Sequence, residues 1–204
     1  MLSGMTTQRQ SSPTGNRPLR ADAERTVTAI LEAAERTLGA DPAATVEQIA
    51  EAAGVARTTV HRRFATREAL IDALATWATR RFAAAVEAAH PDTAPPLVAL
   101  YRTTANVLGI KASWGFAMSR ASAVNPEVAR IHAEVRTTCE RLFLRARDAG
   151  VLRPDTDIAW TRRVYYALIH EAAQHPDEHD PDTLATLVVD TLLHGAGTPR
   201  PDRL

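Results

Sequence analysis

Between residues 45 and 70, apolar residues recur at intervals of three and four, which is the period of an α-helix. The apolar positions that share one face of the first helix are Val46, Ile49, Ala50 and Ala53. Thr45 stands three residues before Gln48, the spacing of a capping box at a helix start. Gly54 allows the positive φ that ends a helix. The pattern predicts a helix, a tight turn and a second helix.

The second helix has apolar residues on one side and cations on the other. Val55, Val60 and Phe64 are expected to pack against the first helix. The outer face and its edges carry the candidate DNA contacts: Arg57, Thr58, Thr59, His61, Arg62 and Arg63. Arginine forms paired hydrogen bonds with guanine or binds phosphate, and threonine reaches phosphate oxygens or the thymine methyl group. A helix-turn-helix that binds DNA is therefore the first hypothesis.

The charge distribution supports this hypothesis only locally. The chain has 204 residues with 24 basic and 24 acidic side chains, so its formal net charge is zero. Between Gly54 and Arg67, however, there are four arginines and no acid. A positive surface confined to one end of a neutral chain is typical of a small DNA-binding unit on a larger body. A solvated basic helix face is the alternative.

The helix-turn-helix residues resemble the tetracycline-repressor (TetR) family of bacterial regulators. The matching segments are Ile49-Ala50, Ala53-Gly54-Val55, Thr59-Val60-His61, Arg63-Phe64 and Arg67-Glu68. Ala56 departs from the family, which usually has a capping serine there, and His61 and Arg63 replace the usual tyrosine and histidine. The resemblance implies a phosphate contact by Arg67, and Thr45 completes the predicted set of DNA-binding residues.

The remaining apolar patterns predict an all-α protein of about nine helices. A flexible arm (1–20) is expected to precede a three-helix DNA-binding domain (21–66), a helical ligand-binding and dimerisation domain (67–197) and a tail (198–204). The helices expected outside the central pair are 21–38, 66–89, 97–109, 112–121, 125–150, 157–174 and 181–194. Asn125, Pro126 and Glu127 have the order of a cap, a first-turn proline and a favourable acid at a helix start.

The last two helices, 157–174 and 181–194, are more apolar than a helix with one buried side requires. This predicts a homodimer whose interface is a four-helix bundle, which is also the arrangement that the resemblance implies. A dimer would place two recognition helices about 34 Å apart on a palindromic operator in double-stranded DNA. A monomer with deeply buried core helices is the alternative.

The resemblance also implies a cavity in the body for a small, hydrophobic effector that releases a repressor from its operator. The apolar candidates for its wall are Trp77, Tyr101, Leu108, Trp114, Phe116, Met118 and Phe143. The polar candidates are Arg102, Asn106, Ser113 and His132. Wall and core residues have the same sequence pattern, so packing is the alternative role for each apolar side chain. The helix over 66–89 is the expected lever between the cavity and the DNA.

Other kinds of site have weak support. His170, His175 and His179 lie among acids, but their spacing across Pro176 does not hold one helical face, so we predict no metal site. No catalytic motif or cofactor-binding loop is present, so we predict no enzyme activity and no cofactor. An all-helical enzyme, or a helical adaptor with a degenerate DNA-binding head, is the alternative function.

Cys139 is the single cysteine and is expected to be a small packing residue rather than a redox sensor. A lone cysteine excludes an internal disulfide framework and fits a reducing compartment. Residues 1–20 lack the apolar core of an export signal, and no later run is long and uncharged enough to span a bilayer. These features predict a cytoplasmic protein that does not contact membranes.

Overall fold

The computed structural model of the chain describes residues 17–110, 125–174 and 180–195, with side chains from residue 21 onward. Within these ranges the chain forms helices and no strand. The helices are α1 (Arg17–Ala40), α2 (Val46–Ala52), α3 (Arg57–Arg63), α4 (Arg67–Glu87), α5 (Pro96–Gly109), α6 (Pro126–Asp148), α7 (Ile158–Ala173) and α8 (Pro181–His194). The all-α prediction is confirmed, and the eight described helices are close to the nine expected.

Three predictions differ from this arrangement or fall outside it. Helix α1 begins at Arg17 and therefore includes the last four residues of the predicted arm 1–20. Pro18 lies in its first turn, where a helix tolerates a residue without an N–H group. The predicted helix 112–121 and the tail 198–204 lie outside the described residues. The domain boundaries remain a prediction.

The ends of α2 are set by the local sequence. At its start, Thr45 Oγ1 accepts from the Gln48 N–H at 3.3 Å, and Gln48 Oε1 accepts from the Thr45 N–H at 2.7 Å. At its end, Gly54 has a φ of 66°. The Val55 N–H then reaches the Ala50 carbonyl at 3.0 Å, which closes a Schellman motif. The predicted capping box and glycine stop are both confirmed.

Two groups of buried apolar side chains organise the helices. The head cluster joins α1, α2, α3 and the start of α4, and its buried members are Ile30, Leu31, Ala34, Leu38, Ala44, Ile49, Ala50, Val60, Phe64, Leu70 and Leu74. The body cluster joins α4 to α8, and its largest buried members include Leu100, Leu142, Phe143, Tyr165, Ile169 and Leu184. Helix α4 belongs to both clusters, since Leu74 lies in the first and Val86 in the second.

Polar contacts fasten α4 to its neighbours near the junction of the two clusters. Arg81 lies 3.5 Å from the buried Glu35 of α1, and its guanidinium stacks 4.6 Å from the centre of the Trp77 ring. Further along the junction, Arg80 pairs with Glu127 of α6 at 2.5 Å. Because both arginines are on α4, this helix is tied to α1 on one side and to α6 on the other.

Candidate nucleic-acid interface and ligand cavity

Helix α3 is anchored by its apolar side and presents its cations to solvent. Val60 is 1% exposed and Phe64 is 9% exposed, and both lie in the head cluster with the partly buried Val55 beside them. The exposed side chains of α3 are Arg57, Thr58, His61, Arg62 and Arg63, and Thr59 is half-buried. The helix starts without a side-chain cap, because Ala56 occupies the N-cap position. The predicted division of α3 into two faces is thus confirmed.

The cations of this face differ in how they are held. Arg57 pairs with Glu47 of α2 at 2.7 Å, and its Nε donates to His61 Nε2 at 3.1 Å. A backbone hydrogen bond lowers the pKa of Glu47, and the charge of Arg57 lowers this pKa further. Arg62 and Arg63 form no hydrogen bond or ion pair with any other described residue. Arg57 is therefore positioned by its neighbours, whereas Arg62 and Arg63 keep their hydrogen-bonding capacity for a ligand.

Thr45 and Arg67 both make contacts within the protein. Thr45 caps α2, as described above. The Arg67 guanidinium donates to the backbone carbonyls of Pro42, at 2.9 Å, and of Ala44, at 3.3 Å. Arg67 thereby fastens the loop between α1 and α2 to the start of α4. A phosphate contact by either residue remains a prediction.

A cavity of about 390 Å³ lies between α4, α5, α6 and α7. The residues that line it are Phe82, Val86, Thr103, Val107, His132, Val135, Arg136, Cys139, Arg162, Tyr165, Tyr166, Ile169 and His170. On α6 and α7 they recur at helical intervals, so each helix presents one continuous face. Its size is typical of a site for a small molecule, and its walls are mainly apolar with a few polar groups.

Four titratable groups of the cavity, Tyr165, Tyr166, Cys139 and His132, are held in their neutral forms. Burial raises the pKa of Tyr165 and of Tyr166 far above the usual range, although Thr104 Oγ1 lies 2.7 Å from the Tyr165 hydroxyl. Burial also raises the pKa of the Cys139 thiol. For His132, burial lowers the pKa, and the charge of Arg136 lowers it further. The phenols, the thiol and this imidazole are therefore uncharged near neutral pH.

Three buried polar atoms in the cavity wall lack a hydrogen bond from the described residues. They are Thr103 Oγ1, His132 Nε2 and Arg162 Nε. Arg162 Nε does lie 3.3 Å from Glu140 Oε1, so it has an ion-pair partner without a well-directed hydrogen bond. The Arg162 guanidinium also lies 5.5 Å from the centre of the Tyr166 ring. Since buried polar groups are normally satisfied, these atoms are available to a bound molecule.

Comparisons with known proteins agree with this geometry. Residues 30–74 match the family model described as bacterial regulatory proteins, tetR family. The chain is 36% identical over 155 residues to the HTH-type transcriptional repressor LfrR of Mycolicibacterium smegmatis. The aligned region covers 74% of this chain and 80% of that protein. The chain belongs to the TetR family. It is thus a DNA-binding transcriptional regulator with a helix-turn-helix, formed here by α2 and α3.

Solved TetR-family structures share the fold of most of this chain. The structure of LfrR from Mycobacterium smegmatis in complex with proflavine matches with a TM-score of 0.70 at 29% identity, over 86% of this chain and 99% of that chain. The ketosteroid regulator KstR2 of Mycobacterium tuberculosis matches with a TM-score of 0.70 at 19% identity, over 83% of this chain and 93% of that chain. The second likeness concerns the fold alone.

In this TetR-family chain, the described lining of the cavity does not include Trp77, Tyr101 or Phe143, three of the aromatic residues that the sequence singled out. Phe143 is 1% exposed and packs edge-on against Tyr165, with ring centres 5.3 Å apart. The Tyr101 hydroxyl donates to Asp190 of α8 at 2.6 Å, and Trp77 lies beneath Arg81 at the junction. Leu108 is buried in the body cluster and does not line the cavity. The remaining three apolar candidates lie outside the described residues: Trp114, Phe116 and Met118. Among the polar candidates, His132 lines the cavity.

Sequence reasoning missed the contribution of α7. That helix was predicted to be buried on two sides, against its own body and against a second subunit, and none of its residues was predicted to line the cavity, yet Arg162, Tyr165, Tyr166, Ile169 and His170 do so. The last four of these residues follow Arg162 by three, four, seven and eight positions, so all five share one face of the helix. This spacing was a usable signal that α7 has a face in addition to the one at the predicted dimer interface. The exposed side of the same helix includes Trp160, so one helix serves two surfaces.

The described part of the chain contains neither a candidate metal-binding cluster nor a candidate membrane-spanning helix. Residues 17–110, 125–174 and 180–195 contain no group of three His, Cys, Asp or Glu side chains placed to hold a metal ion. His175 and His179 lie outside these ranges. Over the same ranges, no helix has both the length and the apolar character needed to cross a bilayer. Cys139 is buried, as expected of a packing residue.

Proposed function

We propose that this TetR-family chain is a repressor that binds a palindromic operator as a homodimer and leaves it when a small effector enters the cavity. The observation that carries this proposal is that one helix, α4, both supports the DNA-binding face and lines the cavity. Its first residue, Arg67, fastens the head, and Phe82 and Val86 form part of the cavity wall. The activity is expected in the bacterial cytoplasm, where the operator is located.

The proposed DNA contacts come from the exposed face of α3 and the start of the neighbouring helices. Arg57 and Arg62 are the candidates for base contacts, since arginine forms paired hydrogen bonds with guanine in the major groove. The remaining contacts are assigned mainly to phosphate: Thr45, Thr58, Thr59, His61, Arg63 and Arg67. Arg67 is already bonded to the loop carbonyls, so its contribution to DNA binding includes holding that loop in place.

The proposed dimer interface consists of residues 157–174 and 181–194. Trp160 of α7 is 60% exposed and Leu187 of α8 is 55% exposed, although large apolar side chains are usually buried. On α8 the opposite side is already occupied, because Leu184, Val188 and Val189 pack into the body cluster. The two exposed residues thus supply a second apolar side for a four-helix interface between two copies.

Release from the operator requires an effector that binds one head arrangement better than another. Helix α4 is the proposed lever, because a molecule that displaces Phe82 or Val86 acts on the helix that also carries Arg81. Arg81 is paired with Glu35 of α1, so a movement of α4 is passed to the head. The LfrR structure contains bound proflavine, and this supports a small-molecule effector for the present chain as well.

Selection from a pool of randomised duplexes at moderate salt tests the proposed operator. Moderate salt is needed because low salt strengthens nonspecific phosphate binding. We expect enrichment of an inverted repeat with half-site centres about one or two helical turns apart. No enrichment by a folded dimer would contradict the proposal and favour an all-helical enzyme or adaptor with a degenerate head.

A double variant then tests the proposed base contacts. Combining Arg57→Ala with Arg62→Ala should weaken binding to the selected operator by about 2–6 kcal/mol, since each base-contacting arginine contributes about 1–3 kcal/mol. The matched control is Arg130→Ala, which removes an exposed arginine of α6 far from α3. Equal operator affinity of the double variant and the control would show that α3 is not the recognition helix.

A further inference from the structure

The cavity has an excess of basic side chains. Its lining includes two arginines and two histidines, and none of the described lining residues is an acid. Glu140, the acid that pairs with Arg162, is not part of the lining. Positive charge in the wall is therefore only partly balanced.

The two arginines differ in position and in what already binds them. Arg136 is exposed, on the α6 face that lines the cavity, and forms no ion pair or hydrogen bond with another described residue. Arg162 is deeper, with a side chain that is 16% exposed, and has Glu140 as its ion-pair partner. Arg136 therefore supplies an uncompensated charge, and Arg162 supplies donors that lie against the apolar interior.

The polar atoms inside the cavity favour a ligand that carries hydrogen-bond acceptors. Thr103 Oγ1 and His132 Nε2 are buried and have no hydrogen-bond partner among the described residues, and an unsatisfied buried polar atom destabilises the empty site. The hydroxyl of Thr103 is a donor, and so is the imidazole of His132 when Nε2 carries its proton. An acceptor-rich group on the ligand would satisfy both atoms.

We infer that this cavity takes an amphipathic anion, whose apolar part lies against Phe82, Val86, Val107 and Val135 and whose acidic group lies beside Arg136 and Arg162. The inference rests on the proposed function of the cavity as the effector site. A guanidinium binds a carboxylate or a sulfonate through two parallel charge-assisted hydrogen bonds, which are stronger than bonds between neutral groups. The effector is thus an organic acid with an aromatic or acyl body.

A cationic ligand is disfavoured by the same residues. The groups that could supply negative charge from the wall, Tyr165, Tyr166 and Cys139, have a raised pKa and stay neutral. A cation would therefore face Arg136 and Arg162 without a lining carboxylate. Proflavine, the molecule bound to LfrR, is a planar aromatic cation and is the natural comparison ligand.

Two fluorescent probes of opposite charge test the inference on the full-length protein. Anilinonaphthalene sulfonate is an aromatic anion, and proflavine is an aromatic cation of similar size. We expect the anion to bind at one site per chain and to be displaced by unlabelled dodecanoate but not by dodecyltrimethylammonium. Proflavine should bind at least about tenfold more weakly, the difference expected from one charge-assisted contact.

Charge reversal at Arg136, the exposed arginine of the cavity lining, provides the matched variant. Arg136→Glu should weaken binding of the sulfonate by at least about tenfold and strengthen binding of proflavine. The control is Arg102→Glu, which changes the net charge equally at an exposed position of α5 that does not line the cavity. Because Arg136 is exposed and unpaired, its replacement should leave the thermal unfolding midpoint close to that of the control.

The possible outcomes separate this inference from the proposed function. Tighter binding of proflavine, absence of binding by both probes, or equal effects of the two variants would each overturn the anion assignment. Operator binding is measured on the same preparations, and its persistence would show that the regulator proposal stands without the anion site. Loss of operator selection, with both probes binding as expected, would instead overturn the regulator proposal and leave an anion-binding cavity without the role of an effector site.

Discussion

The head cluster and the body cluster use different kinds of sequence information. In the head, six of the eight residues proposed to contact DNA lie within the seven positions of α3, and apolar residues of that helix anchor it in the head cluster. In the body, the cavity takes residues from four helices that are distant in the sequence. The head therefore depends on a local motif, whereas the cavity depends on how whole helices pack.

The two regions also differ in what surrounds their charges. Arg62 and Arg63 of the head are exposed, so water and salt screen them strongly. In the body, Arg162 lies against Tyr166 with little exposure, and the same charge has a stronger effect at short range. The head is thus suited to a long charged polymer, and the body to a single small molecule.

The largest expected effect on stability comes from the body, where Phe143 packs against Tyr165 of the cavity wall. Phe143→Ala should lower the free energy of unfolding by about 3–5 kcal/mol, because the ring is fully buried and packs against Tyr165. Urea unfolding at fixed protein concentration measures the change. The control is Leu144→Ala at the neighbouring position, where the side chain is 39% exposed. Equal losses would contradict a core role for Phe143.

The head was predicted from sequence almost entirely. The capping box at Thr45, the turn at Gly54 and the apolar anchors Val60 and Phe64 each depend on residues within a few positions of one another. Helix starts and stops are determined by such local interactions, so the start and the end of α2 followed from the pattern. The contact between Arg57 and Glu47 was not foreseen, because it joins two helices.

The cavity was predicted only from the resemblance to the TetR family, and not from the apolar pattern of this chain. Apolar periodicity identifies which side of a helix is buried, but it does not separate a wall residue from a core residue. Phe143 and Val135 both lie on the buried side of α6, and only the packing of α7 decides that the second one faces open space. The prediction of a helix over 112–121 remains untested by the described residues.

A smaller effect is expected from the cap that defines the head. Thr45→Ala should lower the free energy of unfolding by about 1 kcal/mol, because the Gln48 N–H loses its side-chain acceptor. Thr45→Ser should retain most of this stability, since it keeps the hydroxyl. The control, Thr28→Ala on the exposed side of α1, should be neutral or slightly stabilising. A loss in Thr45→Ser as large as that in Thr45→Ala would argue against the capping role.

Glu47 provides a test of whether Arg57 is held back from DNA in the free protein. Glu47→Gln should raise operator affinity by about twofold to fivefold, because it removes an exposed ion pair and a charge that repels phosphate. Fluorescence anisotropy with the selected operator measures this change. The control is Glu51→Gln, an exposed acid on the same helix. An equal gain in operator affinity in both variants would show that the effect is general repulsion between acidic side chains and DNA phosphate, and not the release of Arg57.

The smallest expected effect is a pH dependence of stability that arises in the body. The pKa of His132 is lowered by burial, and Arg136 adds to the shift; Arg162 and His170 face the same cavity from α7. Below the ordinary value of 6.5 the unfolded chain binds more protons than the folded one, so stability should fall as the pH drops through that value.

Thermal unfolding between about pH 7.5 and pH 5.5 measures this fall, and His132→Gln should make it shallower. His90→Gln, which replaces an exposed histidine, should leave the slope unchanged. Saturation with the aromatic sulfonate should also flatten the slope in the wild-type protein, because an anion beside His132 favours its protonated form. A slope that is the same with and without His132 would show that the cavity does not contribute to the acid sensitivity of the fold.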